Sequence, residues 1–534
     1  MAGETLWGLV VDRADRTPEA TALIQARDVP ESEVSIGFGA LRARAERVAA
    51  GLNARGVRAG TRVVWQLPTR IETVLLTLAL ARLGAVQSPV VPLYRDHEVA
   101  HVLRRTEAEF FLTPGTWRGF DHTAMGHRIA ARRPGPLTVA DVYDVLPDGD
   151  PGSLPPPPAD PGETRWIYWT SGTTAGPKGV LHCDRALLTA GTDLGRALRV
   201  RARDVGSMAF PYAHVAGPDY TVMLLRHGIP AVLFEHFALP EALGAYRRHG
   251  VTIAGGSTAF YQLFLAEQRR RAAGSGPLLP DLRLLAGGGA PKPPGLYYEV
   301  VRELGCALTH GYALTEAPMV TMGDPLDDDA DLATADGRPP AGMEIRIGAD
   351  GEIRLRGPAV CQGYLGEPDP FDADGFLPTG DLGRLTPEGR LVVTGRLKDI
   401  IIRKGENVSA REIEDLLQPH PDIRDAAVIG LPDAERGELV CAVVEQRDGA
   451  LPVTAEALGA WLRERGLAPH KVPERVERVD ALPRGATLRK VLKGELRARF
   501  APGAHGAACA DSGSSSGSGS GSGAQGRKDV DACS

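Results

Sequence analysis

The sequence predicts a layered α/β protein that gives way, toward its C-terminus, to a small β-rich unit and then to a smaller α+β domain. Three observations predict it. Helical apolar patterns alternate with short apolar runs through the first part of the chain. Short strands separated by turn residues take over from about residue 340. The chain has 534 residues, more than one hydrophobic core is expected to hold.

The elements follow in order. FGALRARAERVAAGLNARG from Phe38 reads as a helix, RVVWQLP from Arg62 as a strand, IETVLLTLALARLGA from Ile71 as a buried helix, and VQSPVVPL from Val86 as a strand. Residues 147–163, PDGDPGSLPPPPADPGE, read as a proline-rich, extended linker. WIYWT then leads as a strand into a glycine-rich loop, and LHCDRALLTAGTDLGRAL looks helical. Further on come the strand AVLFE, the helix ALPEALGAYRRHG, and the strands VTIAGG and LRLLAGGG. MEIRIGADGEIRLRG and GRLVVTG form the β-rich unit, about residues 335–397. After GRLKD, the helices SAREIEDLLQPH and AEALGAWLRERG alternate with the strands DAAVIGLPD and LVCAVVEQ. The expected domains are therefore 1–397 and 398–503, followed by a flexible Gly/Ser-rich tail over 504–534.

Composition narrows the function. With 43% hydrophobic and 24% charged residues the chain reads as a soluble globular protein. A formal net charge of −6 gives no reason to expect nucleic acid or an anionic membrane as partner. The start has no basic segment followed by an apolar run, so no signal peptide is read, and no apolar stretch is long enough to span a bilayer. The six cysteines lie far apart with no C-x-x-C pair, which suits a reducing cytoplasm. Lysines are few among many arginines: Lys178, Lys292, Lys398, Lys404, Lys471, Lys490, Lys493 and Lys528.

One of them sits in YWTSGTTAGPKGV, from Tyr168 to Val180. Glycines there let backbone N–H groups approach a phosphate, and Lys178 adds charge. The Walker A spacing is absent, because Pro177 precedes the lysine and Gly179 follows it. Downstream come FPYAHVAG, AGGGAP (Ala286 to Pro291), HGYALTE (His310 to Glu316), PTGD (Pro378 to Asp381), GRLKDIIIRKGENVSAREIE (Gly395 to Glu414) and ALPRGATLRKVLKGELR (Ala481 to Arg497). Together and in this order they resemble the adenylate-forming superfamily of acyl-CoA synthetases, adenylation domains and luciferases. In style they are closest to bacterial aryl- and alicyclic-acid CoA ligases. The resemblance covers roughly residues 5 to 500.

It implies a large N-terminal domain of two layered α/β subdomains with a β-barrel-like unit, and a mobile C-terminal domain. It also implies a reaction: a carboxylate and ATP give acyl-AMP and pyrophosphate, and a thiol then takes the acyl group. ATP, Mg²⁺ and coenzyme A are the implied cofactors. By resemblance, Thr170, Ser171, Gly172, Thr173, Thr174 and Lys178 hold the β- and γ-phosphates. Gly288, Gly289, Ala290 and Pro291 flank the adenine, and Tyr312 stacks on it. Thr315 bonds the α-phosphate, and Glu316 holds Mg²⁺, a hard cation that prefers carboxylate oxygen. Asp381 and Arg396 hold the ribose; two acceptor oxygens on Asp suit a vicinal diol. Lys398 is the hinge, Gly405 lines the CoA tunnel, and His214 stands at the mouth of the acyl pocket. Two positions depart from the family pattern. Ala313 replaces a glycine, and the C-terminal motif reads Ala486-Thr487-Leu488-Arg489-Lys490, with one residue added and its glycine missing. Lys490 is the choice for the catalytic lysine because its downstream spacing is kept, with Lys493 and Arg489 as the alternatives.

The acyl pocket is expected around Tyr212, Gly217, Gly255, Gly256 and Gly287. The missing side chains predict room for a bulky alicyclic or polycyclic acid. No Asp partner for an α-amino group follows Phe210, which argues against an amino-acid substrate. A carrier protein stays open as the alternative acceptor, a non-catalytic adenylate-binding protein is the rival reading, and the oligomeric state, a dimer included, is not readable.

Overall fold

A computed structural model describes residues 4–170, 177–271, 276–289, 292–403, 406–433, 436–485 and 490–501. The first sheet has six strands in the order Lys178–Cys183, Thr164–Thr170, Val86–Pro89, Arg62–Trp65, Phe110–Thr113 and Thr138–Asp141. All neighbours are parallel except the first pair, an antiparallel hairpin. Parallel neighbours need a crossover. The helix Ile71–Leu83 supplies one, and burial along nearly its whole length explains why its apolar residues encircle it. Gly84, at φ 69°, closes that helix in the left-handed region.

A second sheet runs Gly206–Met208, Ala231–Leu233, Thr21–Gln25, Val34–Gly37, and a third runs Ile253–Gly256, Leu284–Gly288, Ala307–Gly311. The N–H groups of Thr252 and Ile253 both donate to the Val205 carbonyl and join the second sheet to the third. The largest core draws on the first two sheets and on the helices Phe38–Ala54 and Ile71–Leu83, with Trp65, Leu75, Leu78 and Ala231 at its centre. These are the layered α/β subdomains.

Two expectations change here. The proline-rich residues 147–163 do not separate two folded units, because the strand Thr164–Thr170 returns to the sheet begun before them. They lie on the helix Phe38–Ala54, where Asp148 pairs with Arg47 and a Cβ on Gly51 would meet the Asp148 nitrogen at 2.4 Å. The β-rich unit is also no closed barrel. Its strands Glu344–Ile347, Glu352–Arg356, Leu377–Leu385 and Leu391–Arg396 form an open antiparallel meander, and its outer two do not pair among the described residues.

The last sheet pairs Glu406–Ser409, Ile400–Arg403, Gly437–Gln446 and Ile423–Asp433 in that order, with Arg475–Val479 parallel to Gly437–Gln446. Alternation splits its side chains between two faces. Val428, Val440 and Val444 meet the helices Ala410–Leu417 and Ala455–Glu464. Ala427, Ile429 and Leu431 meet Leu496 and Phe500 of the helix Lys493–Phe500. Ser409 starts the first of these helices, its hydroxyl accepting from the Glu412 N–H. Among the described residues no helix is long and apolar enough to cross a membrane.

Candidate active site

The glycine-rich motif bridges the hairpin of the first sheet. Thr170 ends one strand, Lys178 opens the other, and the two are register partners. Ser171, Gly172, Thr173 and Thr174 lie outside the described residues, as do Ala290, Pro291 and Gly405. Gly288 ends its strand opposite Gly311, so close that a Cβ would meet the Gly311 oxygen at 2.5 Å; Gly289 follows at φ 77°.

The strand Ala307–Gly311 delivers Tyr312 and then a tight turn. Leu314 and Ala317 exchange backbone hydrogen bonds of 3.1 Å each, which puts Thr315 and Glu316 at its tip. His182, fully buried, donates from Nε2 to the Thr315 carbonyl at 2.7 Å. Burial pushes that imidazole down to about 4, so it is neutral at physiological pH. Glu316 accepts from the Tyr364 phenol at 2.9 Å, and its carbonyl accepts from the Cys361 N–H at 2.7 Å.

Tyr312 is buried and donates its phenol to Asp381 at 2.6 Å. Asp381 faces Arg396 across the strand pair, and their side chains form an ion pair of 2.6 Å. One oxygen of Asp381 therefore meets Tyr312 and the other Arg396, while Gly380 is anchored by Glu352 at 3.0 Å. Lys398 follows in the short turn Leu397–Asp399. Burial lowers its ammonium and Arg396 adds to the effect, opposed by Asp399 and Asp381.

The two lysines of the C-terminal motif occupy different surroundings. Gly485 donates to the Lys490 carbonyl and Leu492 to the Pro483 carbonyl, both at 2.8 Å. These bonds pair the residues on either side of 486–489, which lie outside the described residues. Lys490 is reachable by water yet has protein on most sides, within electrostatic reach of Asp381, Arg396 and Lys398. That surrounding lowers its ammonium, Arg396 and Lys398 add to the effect, and Asp381 opposes it. His214 feels Lys490 from the other side. Burial first, and Lys490 second, push its imidazole down to about 4. Lys493 instead pairs with the Glu414 carboxylate of its own domain at 2.8 Å.

The glycines expected to hollow out the acyl pocket are glycines for another reason. A Cβ on Gly217 would meet the Tyr212 carbonyl at 2.2 Å, one on Gly255 the Ala286 carbonyl at 2.2 Å, and one on Gly287 the Gly256 carbonyl at 2.4 Å. The space each side chain would take is filled by neighbouring backbone. Gly256 differs, since its Cβ would reach only the Phe260 ring at 3.3 Å, but its φ of 149° already favours glycine. Tyr212 itself is buried, its N–H held by Thr69 at 2.9 Å.

Residues 10–365 match the family model described as AMP-binding enzyme. The chain belongs to that family. Residues 412–488 match the model for the AMP-binding enzyme C-terminal domain. Among curated relatives of this AMP-binding enzyme, a salicyl-AMP ligase / salicyl-S-ArCP synthetase of Mycobacterium tuberculosis is 31% identical, covering 90% of this chain and 88% of its own. A 3-[(3aS,4S,7aS)-7a-methyl-1,5-dioxo-octahydro-1H-inden-4-yl]propanoyl:CoA ligase of the same organism is 35% identical, covering 84% and 91%. The o-succinylbenzoate coenzyme A synthetase of Bacillus subtilis, solved with ATP and magnesium, superposes with a TM-score of 0.80 at 28% identity, over 93% of this chain and 100% of its own.

Two site residues escaped the sequence reading, His182 and Tyr364. Each acts across the chain, on Thr315 and Glu316 respectively, and no local spacing signals such a contact.

Proposed function

We propose that this AMP-binding enzyme is an acid–coenzyme A ligase working through an acyl-adenylate. The observation that carries the reading is that Lys490, from the small domain, lies within electrostatic reach of Asp381, Arg396 and His214 of the large one. In the first half-reaction a carboxylate oxygen attacks the α-phosphorus of ATP, and the bond to pyrophosphate breaks. Two anions must approach, so charge neutralisation and orientation are what the protein must supply. Lys490 would bridge carboxylate and α-phosphate, and those anions would restore the ammonium that its surroundings weaken. Asp381 and Arg396 would hold the ribose, Gly288 to Pro291 and Tyr312 the adenine, Thr315 the α-phosphate, and Thr170 to Thr174 with Lys178 the leaving pyrophosphate.

Glu316 fits Mg²⁺: it is a lone carboxylate braced by a phenol, and Mg²⁺ bound to phosphates needs only one or two protein carboxylates. Bound there, the ion would neutralise charge on the phosphates. In the second half-reaction the thiol of coenzyme A attacks the acyl carbonyl, AMP leaves, and the thioester forms. The C-terminal domain would turn about Lys398 between the two steps, bringing Gly405 to the tunnel. His214, neutral at physiological pH, would sit between acid and thiol without adding charge beside Lys490.

For the acid we favour a bulky ring-bearing carboxylate. The support is the relative at 35% identity named for a bicyclic propanoyl group. A cytoplasmic location suits ATP and coenzyme A. The test is pyrophosphate release from ATP with benzoate, a fatty acid, a cyclohexane acid and a diterpene acid, with and without coenzyme A. Acid-dependent release and a CoA thioester are expected. Best turnover with the straight-chain acid would sink the ring preference, and acyl transfer only to a carrier protein would replace coenzyme A as acceptor.

A further inference from the structure

Residues Cys361 to Glu367 lie between the recognised motifs, yet they touch two of them. Leu365 donates to the Gly179 carbonyl at 2.7 Å, Leu181 to the Gly363 carbonyl at 3.0 Å, and Gln362 to the Leu181 carbonyl at 2.8 Å. The segment thus runs beside the strand Lys178–Cys183, with Tyr364 opposite Val180. Its other side grips Glu316 twice, by the Cys361 N–H and by the Tyr364 phenol. The helix Asp96–Arg105 braces the assembly: Arg105 donates to the Leu365 carbonyl at 2.8 Å, and His101 Nε2 bonds the Pro177 carbonyl at 2.9 Å.

Tyr364 is the point where these contacts converge. Its ring lies under the Lys178 ammonium, 5.2 Å from Nζ to centroid, within cation–π range. Its hydroxyl ends 2.9 Å from Glu316 Oε1. One rigid side chain therefore spans the distance between an ammonium and a carboxylate of opposite tasks.

We propose that Tyr364 is a positioning residue that fixes the spacing between Lys178 and Glu316, and so matches them to a nucleotide triphosphate carrying a divalent cation. This rests on the ligase reading. The hydroxyl would set the carboxylate that meets the cation, and the ring would set the ammonium that meets the terminal phosphates. Losing the hydroxyl alone should therefore hurt only binding that uses the cation, whereas losing the ring should hurt nucleotide binding with or without it.

The experiment is calorimetric titration of ATP, with Mg²⁺ and with EDTA, into wild type, Tyr364→Phe and Tyr364→Leu, without any acid. For Tyr364→Phe the ATP affinity in Mg²⁺ should fall about tenfold, the scale of a lost hydrogen bond to a charged group, with no change in EDTA. For Tyr364→Leu it should fall in both. Circular dichroism checks folding, and if Tyr364→Leu does not fold, Tyr364→Phe decides alone. Equal Mg²⁺-dependent affinity in Tyr364→Phe and wild type overturns the proposal while leaving the ligase reading intact. Wild type that binds no ATP in Mg²⁺ overturns both.

Discussion

At the scale of single residues, the two lysines of the C-terminal motif separate chemistry from stability. Lys490 lies where Arg396 and Lys398 lower its ammonium and Asp381 opposes them. Lys493 already has its partner in Glu414, whose side chain is only 20% exposed and also accepts from the Val428 N–H at 2.6 Å. Burial raises the Glu414 carboxyl and Lys493 pulls it back. Lys490→Ala should therefore cut acid-dependent pyrophosphate release about a hundredfold or more while leaving the unfolding midpoint in place. Lys493→Ala should do the reverse: it strands a buried carboxylate, costing about 3 kcal/mol in urea unfolding with turnover of the folded fraction preserved. Swapped outcomes, read by a pyrophosphate assay and by denaturant melts on the same preparations, would move the catalytic role to Lys493.

At the scale of elements, hairpins and turns bring the site together, and close backbone approaches hold them. The helix Ala216–His227 starts against the loop of Tyr212, and Gly217 is where the two meet. A pocket wall would tolerate one methyl group and change which acid fits. A backbone contact at 2.2 Å would not tolerate it. Gly217→Ala should accordingly destabilise the protein by about 1–3 kcal/mol, seen as a lower Tm with every acid in a panel affected alike. A changed ranking of acids at unchanged Tm would restore Gly217 to the pocket. The sequence reading took missing side chains as free volume because composition reports what a residue lacks and not what occupies the space. For the same reason it took residues 147–163 as a linker: prolines report local stiffness, whereas the contact with the helix Phe38–Ala54 depends on residues a hundred positions away, such as Arg47 with Asp148. Tyr312, Asp381 and Arg396 were singled out by their resemblance to family motifs, and the structure brings the three side chains together. His182 and Tyr364 were not singled out, since their partners are 133 and 48 residues distant.

At the scale of the whole molecule, the proposed reading has the present domain orientation serve the first half-reaction and the second require the small domain to turn away. Alternation of helix and strand announced the layered large domain and the separate small one, but periodicity carries no information on how two folded bodies face each other. In the present orientation the two domains touch beside Lys398, the proposed hinge: Ser409 donates its hydroxyl to the Thr394 carbonyl at 3.2 Å, and a Cβ on Gly395 would lie 3.5 Å from the Ser409 oxygen. That spacing is close to what a disulfide asks of two neighbouring side chains. Gly395 has no left-handed φ that a cysteine would strain, and the four cysteines of the described residues are buried and free. Gly395→Cys with Ser409→Cys, once oxidised, should hold the small domain where it is. Pyrophosphate release should then continue, thioester formation should fall at least about tenfold, and reductant should restore it, because only the step needing rotation is blocked. Normal thioester formation by the fully oxidised protein would mean that both half-reactions run in this orientation and that Lys398 is no hinge.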